Sequence, residues 1–263
     1  MDRTLAANAR RNANGGLRRL WRWRSARDAA WTLLDRHVAR GATVAVVGAG
    51  NGHDLPLRRL GRRAGRLDLI DLDAAALRGT QRRLLLTGVR ARTITQDVTG
   101  GAAEAIVRAV VGGRSVRVPP APQTIGRPPY DVVIADQFLS QLLYPALSDS
   151  QLSRRFQAAA LRAHGQSLTN AVVRDLLIAG ALVVLIEDVL GWWEGHVQPF
   201  TLEEVLAAPE PLGLMERGRQ PRGCDGRAAL AAAGAQVVDR AVWQWPFRDG
   251  TDYLVCATVA VSG

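Results

Sequence analysis

The chain has 263 residues, 48% of them apolar and 22% charged, and is therefore long enough to bury one α/β core with a short extension. Its longest apolar runs, such as residues 181–186, are strand-sized, which excludes a membrane-spanning segment. The net charge of +10 comes from arginine alone, since lysine is absent. Two separated cysteines, Cys224 and Cys256, indicate neither a disulfide framework nor a cysteine zinc site. Because no secretory signal is recognisable, we expect a cytoplasmic protein.

The positive charge is concentrated near the N-terminus. Residues 1–40 contain ten Arg against three Asp, which gives +7 of the net +10. Apolar and aromatic side chains among these arginines predict a short helix laid on the domain. They are Leu17, Leu20, Trp21 and Trp23. Ser25 is predicted to cap a second helix over residues 26–40. We therefore divide the chain into an N-terminal arm or lid, residues 1–40, and a domain, residues 41–263.

From residue 41 onward, strand and helix patterns alternate. Apolar and β-branched runs predict strands, and amphipathic stretches predict helices. The predicted strands are residues 43–47, 67–70, 91–95, 132–135, 181–186, 236–243 and 252–259. The predicted helices are residues 54–60, 74–86, 102–111, 152–163, 168–177 and 227–233. This alternation predicts an α/β fold with a seven-stranded, Rossmann-like, mostly parallel sheet and helices on both faces.

Proline and glycine mark the predicted loops. Residues 112–129 contain five Pro and are predicted to lack regular structure. Residues 208–226 are predicted to form a mobile loop near the ligand side. The dipeptide Asp249-Gly250 predicts a hairpin between the last two strands, which makes the final strand antiparallel.

A glycine-rich turn follows the first predicted strand and reads Gly48-Ala49-Gly50-Asn51-Gly52. Glycines let a ligand approach the backbone, and the next helix offers unpaired N–H groups, so the turn suits a nucleotide-like ligand. The G-x-G-x-G spacing departs from the dinucleotide fingerprint G-x-G-x-x-G, because His53 stands where the last glycine is expected. This departure disfavours NAD.

The turn resembles the first motif of class I S-adenosylmethionine-dependent methyltransferases. Further stretches resemble that family in order over about residues 41–260. The resemblance implies that Asp71, at the end of the second strand with Leu72 beside it, accepts hydrogen bonds from both ribose hydroxyls of the cofactor. It also implies that Asp97 receives the adenine amino group and that Val98 lies beside the ring. As structural alternatives, Asp71 could cap a helix and Asp97 could open a turn.

The stretch at residues 129–137 resembles the family's fourth-strand motif, which borders the methionine part of the cofactor and the transferred methyl. Asp136 in it is therefore a candidate both for cofactor binding and for catalysis. Its Ala-Asp-Gln-Phe sequence differs from the Asn-Pro-Pro-Tyr/Phe form, which disfavours enzymes that methylate base amino groups or glutamine amides. Val46 stands where the family often has an acid, so the cofactor's amino group has no predicted partner. The closing hairpin also suits this family.

The two acids that follow the second strand are predicted to have different roles, because only one of them is needed to cap the next helix. Asp73 is the better candidate for the cap of the helix that starts near residue 74, which leaves Asp71 for the ligand.

Methyl transfer also needs an aligned acceptor and, for a hydroxyl or a protonated amine, a base. His196 is the second catalytic candidate, because it is predicted to follow strand five at the carboxyl edge of the sheet. Aromatic side chains are predicted to wall the acceptor site: Trp192, Trp193, Tyr144 and Trp23. Other polar candidates are His53, His164, Glu187 and Asp188. His164 is predicted to cap a helix end, and Trp243 and Trp245 to pack in the core.

The sequence thus predicts a methyltransferase that moves the methyl of S-adenosylmethionine to an oxygen or nitrogen of a small molecule or peptide, for instance in natural-product biosynthesis. This chemistry requires no metal ion. The arm is predicted to close over the site. One alternative is an RNA methyltransferase whose arm contacts phosphates and stacks bases. Another is a cofactor-binding interaction protein without catalysis. An aminopropyl transferase is disfavoured, because the acid-rich amine site expected there is not evident.

Overall fold

The computed structural model describes residues 2–13, 18–114, 120–218 and 224–263. A seven-stranded sheet lies at the centre of this part of the chain, in the order β3-β2-β1-β4-β5-β7-β6. The strands are β1 Thr43–Val47, β2 Arg66–Asp71, β3 Arg92–Thr95, β4 Tyr130–Asp136, β5 Gly180–Trp193, β6 Gln236–Arg248 and β7 Thr251–Val261. β3, β2, β1, β4 and β5 pair in parallel, whereas β7 is antiparallel to both β5 and β6. The predicted sheet, including its inserted antiparallel strand, is confirmed.

Helices cover both faces of the sheet. They are α1 Arg3–Ala13, α2 Arg18–Arg22, α3 Arg24–His37, α4 Leu57–Arg63, α5 Ala74–Leu85, α6 Ala102–Val111, α7 Tyr144–Ser148, α8 Arg154–Ala179, α9 Leu202–Ala207, α10 Pro211–Arg217 and α11 Gly226–Ala232. Successive residues of β1 point to opposite faces. Val44 and Val46 pack with α3, α4 and α5, whereas Ala45 and Val47 pack with α8 and α11. None of the helices in the described ranges is long and apolar enough to cross a membrane.

The three strands at one edge of the sheet are longer than their local sequence predicts. β5 spans 14 residues and continues through Trp193, paired with β7 as far as Thr251. Glu187 and Asp188 interrupt the apolar run, so the local pattern predicted the strand to end before them. Pairing with β7 overrides that signal, with a bulge between Asp188 and Leu190. The predicted end of this strand at residue 186 is therefore wrong.

The two helices predicted over residues 152–163 and 168–177 form one continuous helix. α8 runs without a break from Arg154 to Ala179, and the Ser153 side chain caps its start by accepting a hydrogen bond from Phe156 N. Glycine inside a helix costs only about 1 kcal/mol relative to alanine, and apolar packing on both sides of Gly165 outweighs this cost. His164 consequently lies inside the helix, and its predicted role as a helix-end cap is wrong.

Two smaller predictions also fail. Within the predicted loop 208–226, residues 211–217 form α10. Ser25 does not cap α3, because the helix begins at Arg24 with Trp23 at the N-cap position. Trp23 is fixed there by tertiary contacts, since its indole Nε1 donates to Phe247 O at 3.2 Å and its ring packs in the main core. Leu17, part of the predicted arm helix, lies outside the described residues.

The first helix is tied to the domain at both ends. At its start, the backbone N–H groups of Arg3 and Thr4 donate to Glu104 Oε2 at 2.8 and 3.1 Å. Near its end, Asn12 Nδ2 donates to Asp73 Oδ2 at 3.0 Å. Arg10 also pairs with Asp149 at 2.6 Å. These contacts hold α1 against α5, α6 and α7, beside the carboxyl ends of the parallel strands.

Glu104→Ala should loosen α1 selectively, because it removes the carboxylate that accepts the first two helical N–H groups. We expect the free energy of unfolding to fall by about 0.5–2 kcal/mol, the usual cost of losing a helix cap. Hydrogen exchange of residues 3–13 should accelerate while the sheet amides keep their protection. Glu203→Ala, at an exposed position of α9, is the matched control. Equal exchange of α1 in both variants would contradict the capping role.

Candidate functional site

The glycine turn after β1 is shaped by contact with the end of β4. Gly48, Gly50 and Gly52 have φ values of +79°, +41° and +55°, in the left-handed region that favours glycine. A Cβ placed on Gly48 would lie 2.7 Å from the Phe138 Cβ and 2.9 Å from the carbonyl oxygen of Asp136. The turn therefore needs glycine both for its conformation and for its closeness to β4.

Asp71 braces this turn from the end of β2. One carboxylate oxygen, Oδ2, accepts from Gly50 N at 2.8 Å, and the other, Oδ1, accepts from Asp73 N at 2.8 Å. Asp73 in turn caps α5 by accepting from Ala75 N and Ala76 N, as the sequence predicted. Burial raises the pKa of Asp71, although these two backbone N–H groups partly oppose the rise. Asp71 is therefore not the helix cap, and its carboxylate lines the open space beside the turn.

Asp97 lies after β3 and organises a turn of its own. Its Oδ1 accepts from Thr99 N at 2.8 Å and from Thr99 Oγ1 at 2.7 Å, and its Oδ2 accepts from Gly101 N at 2.8 Å. The turn-opening alternative is thus realised. A carboxylate oxygen can accept about two hydrogen bonds, and Oδ2 of Asp97 accepts only the one from Gly101 N. Asp97 can therefore still accept a hydrogen bond from a ligand, and this contact stays a prediction.

One cleft of about 790 Å³ collects these residues at the carboxyl edge of the sheet, within the usual range for ligand pockets. All the residues predicted to bind the cofactor line it: Gly48, Ala49, Gly50, Asn51, Gly52, Asp71, Leu72, Asp97, Val98 and Asp136. Two of the predicted acceptor-site residues, Trp23 and Tyr144, line it as well. The cleft thus brings together motifs that are far apart in the chain.

Three other predicted site residues lie outside the residues that line this cleft: Trp192, Trp193 and His196. Because β5 continues past residue 186, it carries both tryptophans along the strand pair instead of releasing them into a loop. Trp192 Nε1 donates to Phe200 O at 3.1 Å, and the His196 ring stacks on Trp193 with centroids 3.9 Å apart. These residues therefore do not line the cleft in this structure, and the acceptor role of the tryptophans and the catalytic role of His196 stay predictions.

The remaining polar candidates divide between two places. His53 and Asp188 line the cleft, and Ser140 Oγ donates to Asp188 Oδ1 at 2.9 Å. Glu187 faces a separate small cavity of about 20 Å³ and accepts from Gly226 N at 2.8 Å. Burial raises the pKa of Glu187 to about 7.

Buried polar atoms without a hydrogen-bond partner concentrate on the cleft. Among the described residues seven such side-chain atoms occur, and five belong to residues that line this one cleft. The five are His53 Nδ1, Asp136 Oδ1, Asp136 Oδ2, Gln137 Oε1 and Trp245 Nε1. A buried polar atom left unpaired costs about 1–3 kcal/mol, so their clustering indicates a place where a ligand completes the hydrogen bonding.

An acid cluster, formed by Asp54, Asp71 and Asp136, lines the cleft beside the glycine turn, which we call the inner end of the cleft. Asp136 is only 3% exposed. Burial and then the neighbouring carboxyls of Asp54 and Asp71 raise the pKa of Asp136 well above its usual value. Asp54 hydrogen-bonds Asp136 only when one of the pair holds a proton, because an ionised carboxylate has no donor. No arginine in the described ranges forms a salt bridge with any of these acids. The cluster therefore attracts cations.

Some residues of the cleft carried no local signal in the sequence. Asp54 was predicted only as the start of a helix. The predicted core packing of Trp243 and Trp245 is confirmed, but the sequence did not indicate that Trp245 also lines the cleft. Tyr253 and Phe247 come from the ends of the β6–β7 pair, whose length the sequence did not indicate. Gln137 has φ +50°, a left-handed value that is unusual for a residue other than glycine and turns its side chain into the cleft.

Gly48→Ala should destabilise the protein more than Gly41→Ala. Gly41 also has a left-handed φ, +81°, but a Cβ there would meet nothing within 4 Å. We expect Gly41→Ala to lower the free energy of unfolding by about 1–2 kcal/mol through backbone strain alone. At Gly48 the collision with β4 should add about 1–3 kcal/mol. Chemical denaturation of both variants measures the difference, and equal losses would contradict the close approach.

His53 should stay neutral until the pH falls to about 4. Burial, followed by repulsion from Arg83, Arg19 and Arg27, lowers the pKa of His53 to about 4. The unfolded chain protonates this ring near its ordinary pKa of 6.5. Stability should therefore decline, relative to His53→Asn, as the pH falls from about 6.5 towards 4. NMR titration of the ring, assigned with the Asn variant, checks the value. A midpoint near 6.5 would contradict the burial and charge argument.

Comparison with known proteins identifies the fold. No protein-family model matches the chain, and no curated protein matches it. The N-methyltransferase NodS from Bradyrhizobium japonicum, solved with S-adenosyl-L-homocysteine, superposes over 98% of this chain and 99% of its own, with TM-score 0.51 and 13% identity. S-adenosylmethionine-dependent methyltransferases from Aquifex aeolicus and Methanosarcina mazei are 13% and 11% identical, with TM-scores of 0.46 and 0.47. They cover 90% and 87% of this chain, and this chain covers 91% and 95% of theirs. The chain has the fold of class I S-adenosylmethionine-dependent methyltransferases.

Proposed function

We propose that the protein is a methyltransferase that uses S-adenosylmethionine and methylates an oxygen or nitrogen of a small molecule or peptide. The observation that carries the proposal is the cluster of unpaired buried polar atoms on a cleft that is also lined by every residue predicted to bind the cofactor. A fold alone does not imply an activity, whereas a site with matching chemistry supports one.

The residues of the cleft fit this cofactor. Asp71 faces the cleft, and each of its carboxylate oxygens accepts one backbone N–H and has a second acceptor position for a ribose hydroxyl. Asp97 and Val98 would hold the adenine. When bound, S-adenosylmethionine supplies a methyl group on a positively charged sulfonium. The acid cluster suits that charge and the cofactor's ammonium group, since no arginine of the described residues forms a salt bridge with it, although Asp54 is attracted to the nearby Arg19.

Asp54 would replace the acid that the family often has near the first glycine. Val46 occupies that position and is fully buried in the core under the sheet. Asp54 follows the turn instead of preceding it, yet it lines the same cleft and lies beside Asp136. We therefore assign the interaction with the cofactor's amino group to Asp54 and Asp136.

Asp136 would also serve as the base that takes the acceptor's proton. Its carboxyl is buried beside that of Asp54, and the raised pKa makes the ionised form of Asp136 a stronger proton acceptor than an exposed aspartate. A cation bound beside it would favour the ionised form, which is the form that accepts a proton. α1 and Trp23 cover the cleft and would exclude water during the reaction.

RNA is the second candidate acceptor, because arginines line the cleft and an exposed ring lies next to them in α2. Arg11, Arg18, Arg19 and Arg22 line it, and Trp21 in α2 is 79% exposed. Arginine side chains bind phosphates, and an exposed indole can stack on a base. We favour a small acceptor, because the other aromatic side chains of the cleft are packed against one another instead of being spread along a groove.

Asp71→Asn should weaken binding of S-adenosylhomocysteine by about 1–3 kcal/mol, or roughly 5- to 150-fold, because the ribose hydroxyls would lose a charged acceptor. Asp35→Asn, an exposed acid of α3, should bind like the wild type. Calorimetry measures both affinities, and unchanged melting temperatures control for folding. Tight binding of NADH without binding of S-adenosylhomocysteine would refute the assignment.

Labelled methyl transfer separates an enzyme from a protein that only binds the cofactor. Cell extract fractionated into small molecules, peptides and RNA provides the acceptors. Cofactor binding without label in any fraction would favour the non-catalytic alternative.

A further inference from the structure

We propose that the methyl acceptor is a planar aromatic compound carrying an anionic group, bound at the outer end of the cleft by an aromatic wall, Trp245 Nε1 and the guanidinium groups of Arg18 and Arg19. The aromatic wall consists of Trp23, Trp245, Phe247 and Tyr253. This inference rests on the proposed function, which puts the cofactor against the acid cluster at the inner end.

The aromatic wall is a continuous surface built from three separate elements. Trp23 meets Trp245 edge to face with centroids 5.0 Å apart and stacks on Phe247 at 6.1 Å. Trp245 lies 4.9 Å from Phe247 and 5.8 Å from Tyr253. All four line the cleft. Rings fixed by one another in this way form a rigid apolar surface that suits a flat ring.

Trp245 contributes an unused hydrogen-bond donor. Its side chain is 7% exposed, and its Nε1 is buried without a partner. The indole of Trp23, by contrast, already donates to Phe247 O. An indole N–H can only donate, so a ligand that satisfies Trp245 must present an acceptor atom such as a carboxylate or phosphate oxygen.

Arginines surround the same end of the cleft. Arg22 pairs with Asp249, and Arg248 Nε donates to Thr251 Oγ1 at 3.4 Å. Within the described residues, neither Arg18 nor Arg19 has a carboxylate at salt-bridge distance. The Arg19 guanidinium lies 5.2 Å from the Trp23 ring centroid, at the border of the aromatic wall. Burial lowers the pKa of Arg19, and attraction to Asp54 partly offsets this. A partly desolvated guanidinium that has no salt bridge binds a carboxylate or phosphate strongly.

The cleft therefore carries both charges: the acid cluster beside the glycine turn, and the arginines beside the aromatic wall, where Arg19 is close enough to attract Asp54. A cationic acceptor would be repelled by the arginines at the outer end. An uncharged aromatic acceptor would fit the wall but leave the guanidinium groups without a counter-charge. An anionic ring satisfies the wall, the indole donor and the arginines together.

The test measures binding to the intact protein by calorimetry, with and without saturating S-adenosylhomocysteine. The probes share one ring system: 2-naphthoate, 2-naphthyl phosphate, uncharged 2-naphthamide and cationic 2-naphthylmethylammonium. We expect at least one anion to bind tenfold or more tightly than the amide and the ammonium. The comparison of carboxylate with phosphate identifies which anion the arginines prefer.

Two variants with matched controls locate the binding site. Arg19→Gln and Trp245→Phe should each weaken binding of the preferred anion fivefold or more, and Trp245→Phe preserves the aromatic ring. Arg62→Gln, an exposed position of α4, and Trp31→Phe, which lies outside the cleft, should bind the anion like the wild type. Melting temperatures identify any variant that fails to fold.

Several outcomes would overturn the inference. Equal affinity for the anions and the amide would remove the charge recognition, as would loss of binding in the control variants alone. A 20-nucleotide RNA that binds with a steep salt dependence while no naphthyl anion binds would assign the arginines to RNA. Binding of S-adenosylhomocysteine without any anion refutes this inference and leaves the proposed function standing. Binding of an anion without S-adenosylhomocysteine refutes both the proposed function and the acceptor role.

Discussion

The arrangement of the site depends on the hydrogen bond from Gly50 N to the Asp71 carboxylate. This hydrogen bond fixes the glycine turn after β1 against the end of β2, at the same point where Gly48 touches the end of β4. The second oxygen of Asp71 holds Asp73 N, and Asp73 starts α5 and receives Asn12 from α1. Through these contacts, the Asp71 carboxylate connects the ends of β1, β2 and β4 with the start of α5 and with α1, which lines the cleft.

Charge organises the cleft more than shape does. Burying three acids together costs free energy unless a cation joins them, and the raised pKa values of Asp54, Asp71 and Asp136 express that cost. Arginine predominates at the other end, where Arg18 and Arg19 lack acidic partners among the described residues. A ligand pair that is positive inside and negative outside matches this arrangement. Some of the arginines that make the chain basic therefore line the cleft, where they can bind an anionic ligand.

The long antiparallel pairs of β5, β7 and β6 decide which aromatic side chains meet the ligand. Because β6 extends to Arg248, it brings Trp245 and Phe247 to the cleft and to Trp23. Because β5 extends to Trp193, its two tryptophans lie on the strand pair and not among the residues that line the cleft, although the Trp193 ring packs against Tyr253. The same strand pairing therefore places the aromatic side chains of β6 on the cleft and leaves those of β5 outside its lining.

The sequence by itself determined the sheet, its inserted antiparallel strand and the cofactor-side residues of the cleft. Those features depend on short-range signals: apolar runs bounded by turns, glycines in a fixed spacing and an acid directly after a strand. It did not determine the acceptor side. The end of β5 beyond residue 186 and the approach of Trp245 to Trp23 depend on partners 58 or more residues away in the chain, and the joining of α8 through Gly165 depends on packing against other elements. A local sequence pattern does not encode such contacts, because they form and stabilise the protein only once the sheet has formed.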